Sequence, residues 1–170
     1  MDIPRTSSRV ASVTRPANAT TYTAKDAIGS AASSGAVLQF PPSKPWNRET
    51  GKVISARCWK SGTGVTNDGF TLYLFQKVPT ATPVDHLAPT TEFVAIADAS
   101  SYMGSIVFNA AGVVLAAGVY YEGEGTLAPT GGLPYQTDGG DGIIYGILTA
   151  VGAYEPTSAE VFTITLETQE

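Results

Sequence analysis

Charge is what this sequence has least of. Of 170 residues, 10 are Lys or Arg and 15 are Asp or Glu, a charged fraction of 15%. Ordinary soluble domains carry about a quarter. A charge-poor chain has less well-solvated surface, which favours burial against a partner. No basic cluster reaches four residues and the net charge is −5, so binding to a phosphate backbone is not expected. The single cysteine, Cys58, excludes an internal disulfide. Cys58 and the single histidine, His86, are too few for a zinc site. The longest apolar run, Ala110 to Tyr121, is broken by two glycines and is too short to span a bilayer. Met1-Asp2-Ile3-Pro4-Arg5 lacks the layout of a signal peptide. Neither nucleic acid nor membrane is therefore expected as a partner, and synthesis in a reducing cytoplasm is expected.

Catalytic signatures are missing too. Gly51-Lys52 runs into Val53 rather than Ser or Thr, so it is no P-loop. Gly123-x-Gly125 opens no helix, which argues against a dinucleotide fingerprint. Asp85 stands beside His86, but no Gly-x-Ser-x-Gly elbow supplies a nucleophile for them. Asp138 and Asp141, in a run of glycines, are weak calcium candidates without the further ligands of an EF-hand; a solvated turn is the simpler reading. Glu122 and Glu124 are the remaining carboxylate pair of the kind a glycosidase uses, and a third reading is a glycoside-active enzyme built on these four acids. No enzymatic activity and no cofactor are expected.

What the chain does have is 18 Gly, 11 Pro and abundant Thr, the composition of short strands joined by tight turns. Strands are expected at 35–40, 51–60, 69–78, 102–108, 113–121, 143–151 and 160–169. In 51–60, Ile54, Ala56 and Cys58 share one face, with Cys58 a small buried hydrophobe. In 69–78, Phe70, Leu72 and Leu74 lie on one face and Tyr73 and Phe75 on the other, so both faces are apolar. The segments 51–60 and 69–78 read as a hairpin with a long loop. One short helix is expected after Pro89, at Thr90-Thr91-Glu92, and 122–142 reads as a long glycine-rich loop. No βαβ rhythm appears. The expected fold is all-β, an antiparallel β-sandwich or jelly-roll-like domain over 35–170. Residues 1–34 read as an extended N-terminal arm, with one edge strand near Arg9 to Thr14. Removal of 1–27 is expected to leave the sandwich folded.

Three stretches carry a resemblance: "SVTRPANATTYTAKDAIG", the pair "ISARCWKS" and "GFTLYLFQKVPT", and "YGILTAVGAYEPTSAEVFTITLET". Together they resemble a family of small tailed-phage virion proteins similar to capsid decoration, or cement, proteins. The resemblance implies a sandwich core, a homotrimer placed over junctions of the major capsid protein, an arm reaching to neighbours, and no enzymatic activity. It implies a location on the capsid surface of the virion. Ile3, Val10, Val13 and Tyr22 in the arm, and Tyr73 and Phe75 on the second face of 69–78, are the expected capsid or subunit contacts. The competing reading is a glycan- or receptor-binding sandwich module of a head fibre or tail, using the tyrosines and 122–142.

Overall fold

The computed structural model describes residues 5–31, 37–42, 50–61, 69–80, 83–85, 99–109, 113–114, 121–128, 131–137 and 142–169. Among these, ten strands form: β1 (Thr6–Thr14), β2 (Leu38–Phe40), β3 (Thr50–Lys60), β4 (Phe70–Phe75), β5 (Tyr102–Phe108), β6 (Val113–Val114), β7 (Tyr121–Ala128), β8 (Leu133–Gln136), β9 (Ile144–Ala150) and β10 (Val161–Gln169). Every pairing is antiparallel. The strand order is β1-β10-β3-β7-β5-β4-β9-β2, with β8 on β3 and β6 on β7. The strands make two antiparallel sheets facing each other as a β-sandwich.

The first sheet shows why the sequence alternates. On β10, Phe162, Ile164, Leu166 and Thr168 are buried and the residues between them only half-buried. The register aligns inward rows across three strands: Val13–Phe162–Lys60, Ala11–Ile164–Cys58 and Arg9–Leu166–Ala56. Period-two side-chain alternation puts all members of a row on one face. Burying each large apolar member is worth about 1.5–3 kcal/mol. In β3 the expected parity fails at one place. Glu167 pairs Ser55 while Thr168 pairs Val53, so Ile54 is an extra, unpaired residue. This bulge turns Val53 inward and leaves Ile54 half-buried, because one inserted residue reverses the alternation.

The second sheet contains the doubly apolar strand. Phe70, Leu72 and Leu74 are fully buried in the main core with Ile106, Phe108 and Leu148. Behind them, on the outer face, Phe75, Tyr145 and Ile147 form a second buried cluster, joined by Val37, Tyr73, Tyr102 and Ile143. The strand is apolar on both sides because it lies between two clusters.

β7 joins the two sheets. Its first half pairs β3 (Tyr121–Glu124) and its second half pairs β5 (Gly125–Ala128). Gly125 sits at the changeover, where an added Cβ would lie 2.2 Å from Ile106 Cγ2. Glycine there permits the close approach a sheet-switching strand needs.

Three expectations are corrected, and one is met where it is described. The stretches 51–60 and 69–78 are not a hairpin: β3 pairs β10, β7 and β8, whereas β4 pairs β5 and β9. The supposed loop 122–142 contains most of β7 and all of β8; its Gly and Pro content hid short strands with few β-formers. The strand expected at 113–121 is met at Val113–Val114 and at Tyr121, the intervening residues lying outside the described set. Finally, residues 5–31 are part of the domain rather than an arm. β1 pairs β10 over nine residues, with no bulge, as an edge strand. Beyond it, Tyr22 and Tyr154 bond reciprocally, Ile28 N donates to Leu148 O (2.9 Å) and Ala150 N donates to Asp26 O (2.9 Å). The backbone of 22–28 thus completes the edge of β9, and Tyr22, Ala27 and Ile28 are buried. The expected helix at Thr90–Glu92 falls outside the described residues.

Candidate functional site

Two surfaces and one interior cluster stand out. The first surface is the half-buried Tyr73 and Tyr102 that cap the outer cluster on the second sheet. Tyr73 faces Ile147, and Phe75 faces Tyr145 and Tyr102, through the registers of β4 with β9 and β5. Tyr73 and Tyr102 are half-buried, their ring centroids 6.5 Å apart. Burial raises the Tyr73 phenol pKa above its ordinary value, and the neighbouring Tyr102 adds to the effect.

The second surface is the outer face of β1, β10 and β3. It aligns Ser8–Glu167–Ser55, Val10–Thr165–Arg57 and Ser12–Thr163–Trp59. Hydroxyls link the strands: Ser8 Oγ donates to Glu167 Oε1 (2.7 Å) and Ser12 Oγ lies 3.1 Å from Thr163 Oγ1. Along the rim, between edge strands β1 and β2, runs an uncharged cleft of about 440 Å³ lined by Ala11–Thr14, Ser30 and Val37–Gln39.

The interior cluster places charge where the sequence suggested none. Arg15, Tyr22 and Asp85 are buried together. Arg15 Nε donates to the Tyr22 hydroxyl, which donates to Asp85 Oδ1. Arg15 Nη2 lies 3.8 Å from Asp85 Oδ2, and Gly29 N donates to Asp85 Oδ1 at 3.1 Å. Burial, then the Asp85 hydrogen bond, push the Tyr22 phenol pKa well above its ordinary range. The Tyr22 ring stacks on Tyr154 at 5.6 Å. Lys60 Nζ lies 4.6 Å from the Tyr154 ring centroid, 3.5 Å from its hydroxyl and 3.5 Å from Glu160 Oε1. Arg9 is likewise buried, donating to Gly142 O and, at 3.1 Å, to the Tyr135 hydroxyl.

The expected contact residues separate accordingly. Val10 is 49% exposed on the outer face of β1. Tyr73 is half-buried on the outer face of the second sheet. Val13, Tyr22 and Phe75 are buried within the chain's own structure, at 6%, 0% and 0%, so they offer no surface to a partner: their neighbours are β10, Tyr154 and Tyr145. Ile3, His86, Asp138 and Asp141 fall outside the described residues. Glu122 and Glu124 stand in β7 opposite Trp59 and Arg57 in register. Among the described residues no group of three His, Cys, Asp or Glu is placed to hold a metal ion. Asp85, weighed beside His86, is the anion of the Arg15–Tyr22 cluster. The buried Arg9, Lys60 and Glu160 were missed. Parity carried the signal: Arg9 alternates with Ala11 and Val13, Lys60 with Cys58, and Glu160 with Phe162 and Ile164.

No family model matches the chain, and no curated protein does. Among solved structures, a chain described as Desmodium yellow mottle tymovirus aligns over 99% of this chain and 88% of its own, at 10% identity and a TM-score of 0.30. A likeness at that score carries no argument about this protein's fold or role.

Proposed function

We propose that this chain is a structural protein of a phage particle, a decoration or cement protein bound at the capsid surface as a homotrimer and clamping subunits of the major capsid protein. The observation that carries the reading is the half-buried aromatic pair Tyr73 and Tyr102 on the outer face of the β5–β4–β9 sheet, lying over the buried cluster of Phe75, Tyr145 and Ile147. A sandwich has its core between the sheets. The partly exposed rings on the far side of one sheet are what a partner could cover, and aromatic residues are enriched in such contacts. The low charge of the chain supports the same reading, as does its resemblance to small virion proteins. The mechanism is added buried area across a seam between subunits, with avidity of ~10²-fold or more when three copies bind at once.

The experiment is to add purified protein to particles lacking it and to locate it by reconstruction. Density at junctions of the head lattice is expected. Failure to bind, or density on the tail alone, would overturn the proposal. One observation favours a second reading, a glycan-binding module: Tyr73 and Tyr102 are paired at 6.5 Å on an outer face, and aromatic faces can stack on sugars. Binding to a glycan array that is lost in Tyr73→Ala would favour that reading.

A further inference from the structure

The most unusual chemistry in the molecule is a primary amine and a carboxyl group sealed together inside the sandwich. The side chains of Lys60 and Glu160 are 1% and 0% exposed, and Nζ and Oε1 are 3.5 Å apart. Both backbones are fixed. Lys60 pairs with Phe162 in the β3–β10 ladder, Ser61 N donates to Val161 O (2.9 Å), and Arg15 N donates to Glu160 O (2.9 Å). The pair therefore joins diagonal neighbours on one inward face. Aromatic rings surround it: Tyr154 lies under the amine, with Phe162 and Phe70 packed edge-on against Tyr154 at 6.2 and 5.3 Å.

We propose that Lys60 and Glu160 condense after folding into an amide, an internal cross-link between the end of β3 and the entry to β10. Three physical arguments support it. A buried ion pair is poorly repaid for its lost hydration, and condensation removes both charges. Desolvation lowers the Lys60 pKa, against the pull of Glu160, and desolvation is what makes a lysine amine a nucleophile. Lys60 Nζ is 3.5 Å from Oε1, the oxygen bonded to Cδ; groups held in fixed orientation whose reacting atoms close to about 3–3.5 Å reach effective molarities of ~10⁵–10⁸ M, and a dry site disfavours the reverse hydrolysis.

The balance is simple. A proton passes from the ammonium to the carboxylate, giving neutral amine and acid. Nζ attacks Cδ, and the Nζ–Cδ bond forms. The proton that Nζ sheds passes to the departing hydroxyl of the same carboxyl group, while the Tyr154 hydroxyl, 3.5 Å from Nζ, holds the amine in place. The Cδ–O bond breaks and one water leaves. Nothing is oxidised or reduced, and no co-reactant is needed. This inference stands apart from the virion reading; it concerns the chain alone.

The test is the denatured intact mass of the purified full-length chain, followed by tryptic mapping. The expected mass lies about 18 Da, one water, below the sequence mass. Trypsin is expected not to cut after Lys60, and the peptide beginning at Cys58 stays joined to the fragment that carries Glu160. Lys60→Arg keeps the charge but cannot condense this way, and it is expected to restore the full mass. The full sequence mass in the wild-type chain overturns the proposal. So does a lost water with normal cleavage after Lys60, which would mark an aspartyl-glycine dehydration elsewhere. Because the wild-type result alone decides, a variant that fails to fold leaves the outcome intact.

Discussion

Gly125 is where a single missing Cβ lets one strand serve two sheets. The added atom in Gly125→Ala would meet Ile106 Cγ2 at 2.2 Å and Phe108 Cε1 at 2.9 Å. Ile is stiff at χ1, so it cannot simply turn aside. The substitution is expected to destabilise the chain by about 1–3 kcal/mol, measured by denaturant unfolding. Cys58 makes a different point. Burial pushes its thiol pKa from 9.0 up to about 12, so the folded state keeps a proton that the unfolded state releases. Its contribution is complete below pH 9 and is lost as pH rises towards 12. Tyr22, also raised, acts in the same sense above its ordinary 10.0. Stability is expected to fall from about pH 9 upward, and Cys58→Ala to make that slope shallower, at a cost near neutrality of about 1 kcal/mol for the lost sulfur. Melting curves from pH 8 to 11 check both statements; an unchanged slope in the variant would remove Cys58 from the account.

At the scale of elements, β1 is the informative case. Its outward residues, Thr6, Ser8, Val10, Ser12 and Thr14, are exposed, and Arg9, Ala11 and Val13 are buried. Val10→Ser is therefore expected to change stability by no more than about 0.5 kcal/mol. Val13→Ser, three residues on, is expected to cost about 2 kcal/mol, because it puts a hydroxyl in the row with Phe162. Equal effects at the two positions would contradict the edge-strand register. Deleting residues 1–27 removes this strand, the Arg15–Tyr22 cluster and the cover on the edge of β9, and is expected to abolish cooperative unfolding. The sequence made 102–108 and 160–169 readable because the buried face alternates there with a wetter one. It hid β7, where Gly123 and Gly125 replace side chains that signal a strand, and β8, which is four residues long and carries Pro134. It also hid the role of residues 5–31. A segment of Ser, Thr and Ala looks like linker, yet on an edge strand small residues opposite Phe162 and Ile164 suffice. The outer cluster was visible as the two apolar faces of 69–78, and the buried charges stood in plain parity with buried apolar residues, Arg9 with Ala11 and Val13, Lys60 with Cys58 and Glu160 with Phe162; what hid them is that a charged residue at such a position reads as a solvated one.

For the whole molecule, sparse charge makes a prediction about attachment. A net charge of −5 spread over 170 residues gives little long-range steering, and the outer apolar cluster and Ser/Thr face hold few ions. If the chain attaches to a capsid as proposed, contact burial rather than ion pairing supplies the affinity. Screening shortens the reach of exposed charges from about 10 Å at 0.1 M salt to about 3 Å at 1 M, but it leaves buried apolar contacts intact. Binding to particles lacking the protein is therefore expected to change by less than roughly threefold over that range of salt. A Tyr73→Ala, Tyr102→Ala double variant is expected to lose most of its binding while melting close to the wild type, because both rings are only half-buried in the free chain. Co-sedimentation with particles at the two salt concentrations measures both effects. A loss of binding at high salt, with the double variant unaffected, would place the contact on charged residues and turn attention from the outer face of β4 and β5 to Arg57, Lys52 and Glu167 on the other sheet.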